Sequence, residues 1–148
     1  MTANPLRQAA LYLLARREHS ATELCRKLLK KHFILSDIQA VIDTLQKEGL
    51  QSDSRYAEMI ARVRFNKGYG PNYIKAYLHD KGVAANLIKI ALEPYQTLWI
   101  DKLIETYQRK YECAAPSFDK AHRFLAQRGF LPADIRRVYF DLKERRNA

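Results

Sequence analysis

One apolar spacing, written three times, restricts this chain more than any other feature. Ile38, Val41, Ile42 and Leu45 fall at i, i+3, i+4 and i+7, and Ile88, Ala91, Leu92 and Tyr95 repeat that spacing 50 residues later. Ile135, Val138, Tyr139 and Leu142 repeat it after 47 more. Such spacing puts four apolar side chains on one face of an α-helix. The preceding segments keep the same offsets. Leu28, Leu78 and Leu125 each stand four residues before "HFI", "GVA" and "GFL", and Ser20, Gly70 and Ser117 lie further back as N-caps of a middle helix. A first helix comes earlier still: Tyr56, Met59, Ile60 and Val63; Ile100, Leu103, Ile104, Tyr107 and Tyr111; and, more loosely, Leu6, Ala10, Leu13 and Leu14.

Each unit therefore reads as three helices. The expected organisation is all-α, a tandem array of three three-helix repeats at 1–50, 51–96 and 97–148, elongated or curved. Repeats of this kind gain stability by packing on their neighbours. A single bundle of nine helices with accidental internal similarity is the competing account. Composition supports helices in either case. The chain is 47% hydrophobic, which disfavours disorder, and its five glycines and five prolines are too few for the many turns of an all-β fold.

Cap signals set the boundaries. "SATE" at 20–23 and "SDIQ" at 36–39 both read as capping boxes, and Gly49 stands where a C′ glycine belongs. Pro94 ends the last helix of the second repeat, and Pro132 occupies an N1 position in the third.

The formal charge of +10 is spread along the chain: eight cations against five acids in 1–50, seven against four in 51–98, and eleven against seven in 99–148. An evenly basic body attracts polyanions, nucleic acid above all, or an acidic protein surface. Cys25 and Cys113 form no CxxC pair, so a reducing cytoplasm is expected, with both thiols acting as small core hydrophobes. "AALYLLA" at 9–15 is followed at once by Arg16 and Arg17. It makes a poor signal peptide and is too short to span a bilayer.

"KGYGPNYIKAYLHDKG" at 67–82 holds three of the five glycines and one proline. A phosphate-binding loop needs GxxxxGK[ST] after a strand, and a dinucleotide fingerprint needs GxGxxG in a βαβ unit; neither spacing is met. A stop-and-restart between helices explains every residue. Gly68 takes a positive φ at C′, Gly70 caps, Pro71 presets N1, and Gly82 closes the new helix.

The stretch "SDSRYAEMIARVRFNKGYGPNYIKAYLHDKGV" at 52–83 resembles the central block of the RecX family, bacterial regulators of the RecA recombinase. The likeness rests on Asp53-Ser54-Arg55-Tyr56, an Arg-rich helix, Lys67-Gly68-Tyr69-Gly70-Pro71, then Ile74, Leu78 and Lys81-Gly82-Val83. "LLARREHSATELCRKLLKK" at 13–31, "VIDTLQKEGL" at 41–50 and "FLAQRGFLPADI" at 124–135 extend it along nearly the whole chain. Gln51-Ser52-Asp53 departs from the more usual aromatic-Leu-Asp-Asp, and His32-Phe33 stands where a glycine is frequent. The resemblance implies tandem three-helix repeats that bind the RecA–single-stranded DNA filament and restrain its ATPase, recombinase and coprotease activities. It also implies that 68–71 and Gly82 act structurally.

Contact candidates follow from charge. Around the glycine corner they are Arg62, Arg64, Lys67, Lys75 and Lys81, with Arg62 able to pair with Glu58. On the middle helix of the first repeat they are Arg26, Lys27, Lys30 and Lys31. Like charges at i,i+4 oppose a helix mildly, an effect that its C-terminal dipole offsets. Tyr69 and Tyr73 are able to stack on bases or to pack beneath the corner. Arg123, Arg128, Arg136 and Arg137 form a more diffuse set.

Catalysis finds no support. His19, His32, His79 and His122 are isolated beside solvent-type neighbours, Asp53 beside Arg55 reads as a cap, and nothing calls for a cofactor or a metal. Two functions remain. One is a monomeric regulator of the RecA filament, with weak direct DNA binding compatible with its charge. The other is a stand-alone DNA binder of helix-turn-helix type, although Asp37, Gln39, Asp43 and Gln46 make a poor major-groove face.

Overall fold

A computed structural model describes residues 4–147, so the extreme ends of the first and third expected repeats lie outside it. Among the described residues the regular structure is entirely helical. The order is α1 (Pro5–Arg16), α2 (Ala21–Lys30), α3 (Leu35–Lys47), α4 (Asp53–Asn66), α5 (Pro71–Asp80), α6 (Ala85–Leu92), a 3-10 turn (Glu93–Tyr95), α7 (Trp99–Lys110), α8 (Phe118–Gln127) and α9 (Pro132–Asn147). The all-helical array of three-helix repeats expected from the spacing is the observed fold class.

The helix starts follow from local chemistry. Ser20 and Ser117 accept the backbone N–H of Glu23 and Lys120, and Asn4 accepts those of Leu6 and Arg7. Pro71 and Pro132 open α5 and α9, where their missing N–H would have no helical partner anyway. Two cap readings need correction. α3 begins at Leu35, with Ile34 as an N-cap that offers no side-chain bond, because the Ile34 carbonyl already accepts the Ile38 N–H at 3.0 Å. Ser36 therefore lies inside the first turn. At α2 only half of the capping box forms, since the Glu23 carboxylate is taken by Arg17.

The middle helix of each repeat ends in the same joint. The His32 and Phe33 amides donate to the Leu29 and Leu28 carbonyls, those of Gly82 and Val83 to His79 and Leu78, and those of Gly129 and Phe130 to Ala126 and Leu125. Each is a Schellman end and needs a left-handed residue at C′. Gly82 and Gly129 meet that need with φ of 79° and 95°, whereas His32 holds φ 71° despite its Cβ. The three joints sit on the sequence offsets of 50 and 47 residues, so one backbone geometry underlies the repeated pattern.

Packing groups the helices into two compact units, Met1–Met59 with Leu78–Ala91, and Ile60–Tyr77 with Leu92–Ala148. α4 and α5 contribute residues to both. In unit 1, Leu6, Ala10, Leu24, Leu28, Ile38, Ile42 and Leu45 form a buried cluster; in unit 2, Leu103, Tyr107, Ala121, Leu125, Phe130, Ile135, Val138 and Tyr139 form another. Leu24, Leu28, Ile38 and Leu45 are fully buried, and each contributes about 2 kcal/mol through the apolar surface it removes from water. Cys25 packs against the unit 1 cluster as expected. Cys113 does not follow the core reading. It lies in the stretch after α7 and is exposed, because that helix has already ended at Lys110.

Candidate functional site

In unit 1 the α1–α2 turn is built on a polar network. The Arg17 guanidinium grips Glu23 through two parallel bonds of 2.9 and 2.8 Å. Burial pushes the Glu23 carboxyl up, but the hydrogen bonds and charge of Arg17 outweigh it and hold the group below the usual carboxylate range. His19 is 1% exposed, which corrects its reading as a solvent-side histidine. Its Nδ1 stands 3.0 Å from the Arg17 carbonyl oxygen and its Nε2 stands 2.9 Å from Lys27 Nζ. A carbonyl only accepts, so Nδ1 carries the proton and Nε2 is left to accept from the ammonium. Burial lowers the affinity of His19 for a second proton, partly opposed by the Arg17 carbonyl, and the charges of Arg17 and Lys27 lower it further.

Asp53 does cap a helix, but a remote one: its Oδ1 accepts the Ala21 N–H at 2.8 Å and the Gln51 amide at 2.9 Å. Its own helix is capped by Ser52, whose Oγ accepts the Arg55 N–H. Gln51 is buried and also donates to the His19 carbonyl. Ser20 Oγ donates to the Lys81 carbonyl, and Arg26 donates to that of Asp80. Lys81, grouped by sequence with the glycine corner, thus keeps company with α2, where its charge also bears on Lys27. Lys30 and Lys31 are exposed, with Lys31 Nζ 6.0 Å from the Tyr12 ring centre.

The glycine corner belongs to unit 2. The Gly68 and Tyr69 amides close α4 on the Phe65 and Arg64 carbonyls, with Gly68 at φ 89°. The chain then runs against the joint that follows α8. The Gly70 amide donates to the Arg128 carbonyl at 2.7 Å, the Asn72 amide donates to that of Gly129 at 2.9 Å, and Arg128 Nη1 donates to the Lys67 carbonyl at 3.3 Å. A Cβ on Gly70 would stand 2.6 Å from the Gly129 carbonyl and the Phe130 nitrogen, and one on Gly129 would strike Tyr73. Gly70 is therefore more than a cap. It lets two backbones touch.

Arg64 proves different from its charged neighbours. Its guanidinium carbon lies 4.8 Å from the Tyr77 ring centre, 5.7 Å from that of Tyr69 and 5.9 Å from that of Tyr73. Tyr69 and Tyr73 stack at 4.2 Å. Arg128 then covers Tyr69 at 4.7 Å and Phe124 at 5.3 Å. These are cation–π contacts, and they occupy ring faces that a base would otherwise use. Arg62, Lys67 and Lys75 are exposed, and among the described residues none of the three makes an ion pair; Glu58 does not hold Arg62.

A cleft of about 290 Å³ opens beside this ladder, lined by Asn66, Lys67, Gly68, Glu105, Thr106, Arg109, Lys110, Phe124 and Arg128. Sequence reasoning put Arg128 in a diffuse set and passed over Arg109, Lys110 and Phe124. One signal was present: Lys31, Lys81 and Arg128 each immediately precede the left-handed residue of a joint. Among the described residues no three His, Cys, Asp or Glu side chains cluster as metal ligands, and no helix is long and apolar enough to cross a membrane.

Two family models match, the first three-helix domain of RecX over residues 7–45 and the second over 52–92. Over 139 residues the chain is 37% identical to the regulatory protein RecX of Legionella pneumophila (strain Corby), covering 91% of this chain and 93% of that one. The chain belongs to the RecX family. A second RecX relative, from Ectopseudomonas mendocina (strain ymp), is 42% identical over 136 residues, covering 88% of this chain and 91% of the relative. The crystal structure of RecX from Lactobacillus salivarius superposes with a TM-score of 0.77 at 26% identity, covering 93% of this chain and 94% of that one. Another RecX crystal structure, at 21% identity and a TM-score of 0.72, shares the fold. The relatives are named as regulatory proteins, and this RecX chain is a helical member of that regulatory family.

Proposed function

We propose that this chain binds the RecA filament on single-stranded DNA and restrains its ATP hydrolysis, strand exchange and coprotease activity, acting as a monomer without a cofactor. The observation that carries this reading is the RecX match along about nine-tenths of the chain. The geometry adds exposed cations that make no ion pair among the described residues, Arg62, Lys67 and Lys75 in unit 2 and Lys30 and Lys31 in unit 1, suited to acidic protein groups or phosphates. Arg64, Arg26 and Lys27 already have partners within their own units and take a supporting place, as does Lys81 beside α2.

The test is RecA's DNA-dependent ATP hydrolysis and strand exchange with and without the protein. The wild type is expected to slow both, and R62A/K67A/K75A to slow them less, with unchanged helicity by circular dichroism. ATP hydrolysis untouched by a several-fold excess of wild type defeats the reading. Sequence-selective duplex binding at physiological salt, without an effect on RecA, points instead to the stand-alone DNA binder.

A further inference from the structure

We propose that the cleft beside the α4–α5 corner is a phosphate-binding site. This goes beyond the filament reading and does not depend on it. Four cations line the cleft, Lys67, Arg109, Lys110 and Arg128, against a single acid, Glu105. Glu105 is already divided between Lys102 at 3.2 Å and Arg109 at 3.3 Å. Lys67, Lys110 and Arg128 have no carboxylate partner among the described residues. Arg128 and Lys110 instead share the Phe124 ring, at 5.3 and 5.4 Å from its centre. Like charges gathered in a concave wall repel one another and focus a positive potential into the cleft. A multiply charged anion relieves that repulsion; a single carboxylate leaves most of it standing.

The chemistry of the walls narrows the ligand. Two guanidinium forks and two ammonium groups supply donors of the kind that phosphate oxygens accept. The rings nearby are engaged: Phe124 with Arg128 and Lys110, and Tyr69 with Tyr73, Arg64 and Arg128. Recognition is therefore of the phosphate and not of a base. Phosphate can come from a polynucleotide backbone or from a small polyphosphate, and the two sources are separable.

The full chain, with no RecA present, is titrated with fluorescent oligo-dT and oligo-dA across a salt series, and separately with pyrophosphate by calorimetry. The variant is K67A/R109A/K110A, three exposed positions, with K47A/K89A/K143A as a control of equal charge outside the cleft. If a backbone is the source, oligo-dT and oligo-dA bind alike. The cleft variant then lowers the log–log salt slope by about 0.7 for each phosphate it no longer neutralises, and the control lowers it less. If a small polyphosphate is the source, pyrophosphate binds the wild type and the control but not the cleft variant. Equal losses in the two triple variants, or poly-glutamate binding that matches the oligonucleotides, would overturn the proposal. A RecA assay can fail while this one succeeds, and the reverse.

Discussion

The Gly70 amide donates to the Arg128 carbonyl at 2.7 Å, although 58 residues of sequence separate them. The contact exists because neither Gly70 nor Gly129 has a Cβ. With backbone as the obstacle, no rotamer change can relieve an added methyl group. Gly70→Ala is expected to destabilise the protein by about 3 kcal/mol or more. Gly49 is the comparison, since it has φ 75° but nothing within 4 Å of a built Cβ, so that Gly49→Ala costs about 1 kcal/mol of left-handed strain alone. Urea unfolding of the two variants separates crossing from conformation; equal losses refute the crossing.

Arg62 and Arg64 lie two residues apart on α4 and differ in kind. Arg64 is held by the faces of Tyr69, Tyr73 and Tyr77, where a planar guanidinium stacks and an ammonium does not. Arg64→Lys keeps the charge and is expected to lose about 1 kcal/mol of stability. Arg62→Lys is expected to stay within about 0.5 kcal/mol of wild type, as exposed substitutions do. Thermal melts that fail to distinguish the two would show the ring contacts to be energetically silent.

His19 and Glu23 set the response to acid. In the unfolded chain an imidazole takes its proton near pH 6.5, but burial and the cations Arg17 and Lys27 depress that value in the fold. The unfolded state therefore binds more protons as the pH falls, and stability complete above about pH 6.5 is lost below it. Glu23, also depressed, contributes above the ordinary carboxylate range, and its share is lost as the pH falls through its folded value. Wild-type protein should unfold at lower urea at pH 5.5 than at pH 7.5. His19→Gln should flatten that difference while keeping an acceptor for Lys27. A wild type indifferent to pH over this interval would remove His19 from the account.

What could be read from sequence was whatever neighbouring residues decide. The helices follow from apolar spacing, and the joints at Gly82 and Gly129 follow from glycine at C′. His32 broke that rule by entering the left-handed region itself, and the expected start of α3 at Ser36 went wrong with it. Asp53 serves the Ala21 amide, 32 residues earlier, and no local pattern signals such a bond. The same holds for the cleft. Lys67, Arg109 and Phe124 come from three separate helices or their ends, and only folding gathers them. Nor could chemistry alone tell Arg64 from Arg62, since the choice was made by the tyrosines at 69, 73 and 77.

The discontinuous make-up of unit 2 bears on how the chain is born. Ile60–Tyr77 leaves the ribosome well before Leu92–Ala148, the segment it packs with. Until α8 and its joint have been synthesised, Gly70 has no carbonyl to meet. A nascent chain that has emerged past Ala91 but not yet through α8 has all of unit 1 outside the ribosome and holds the Gly-Tyr-Gly-Pro corner uncovered, a state in which chaperones and proteases compete for it.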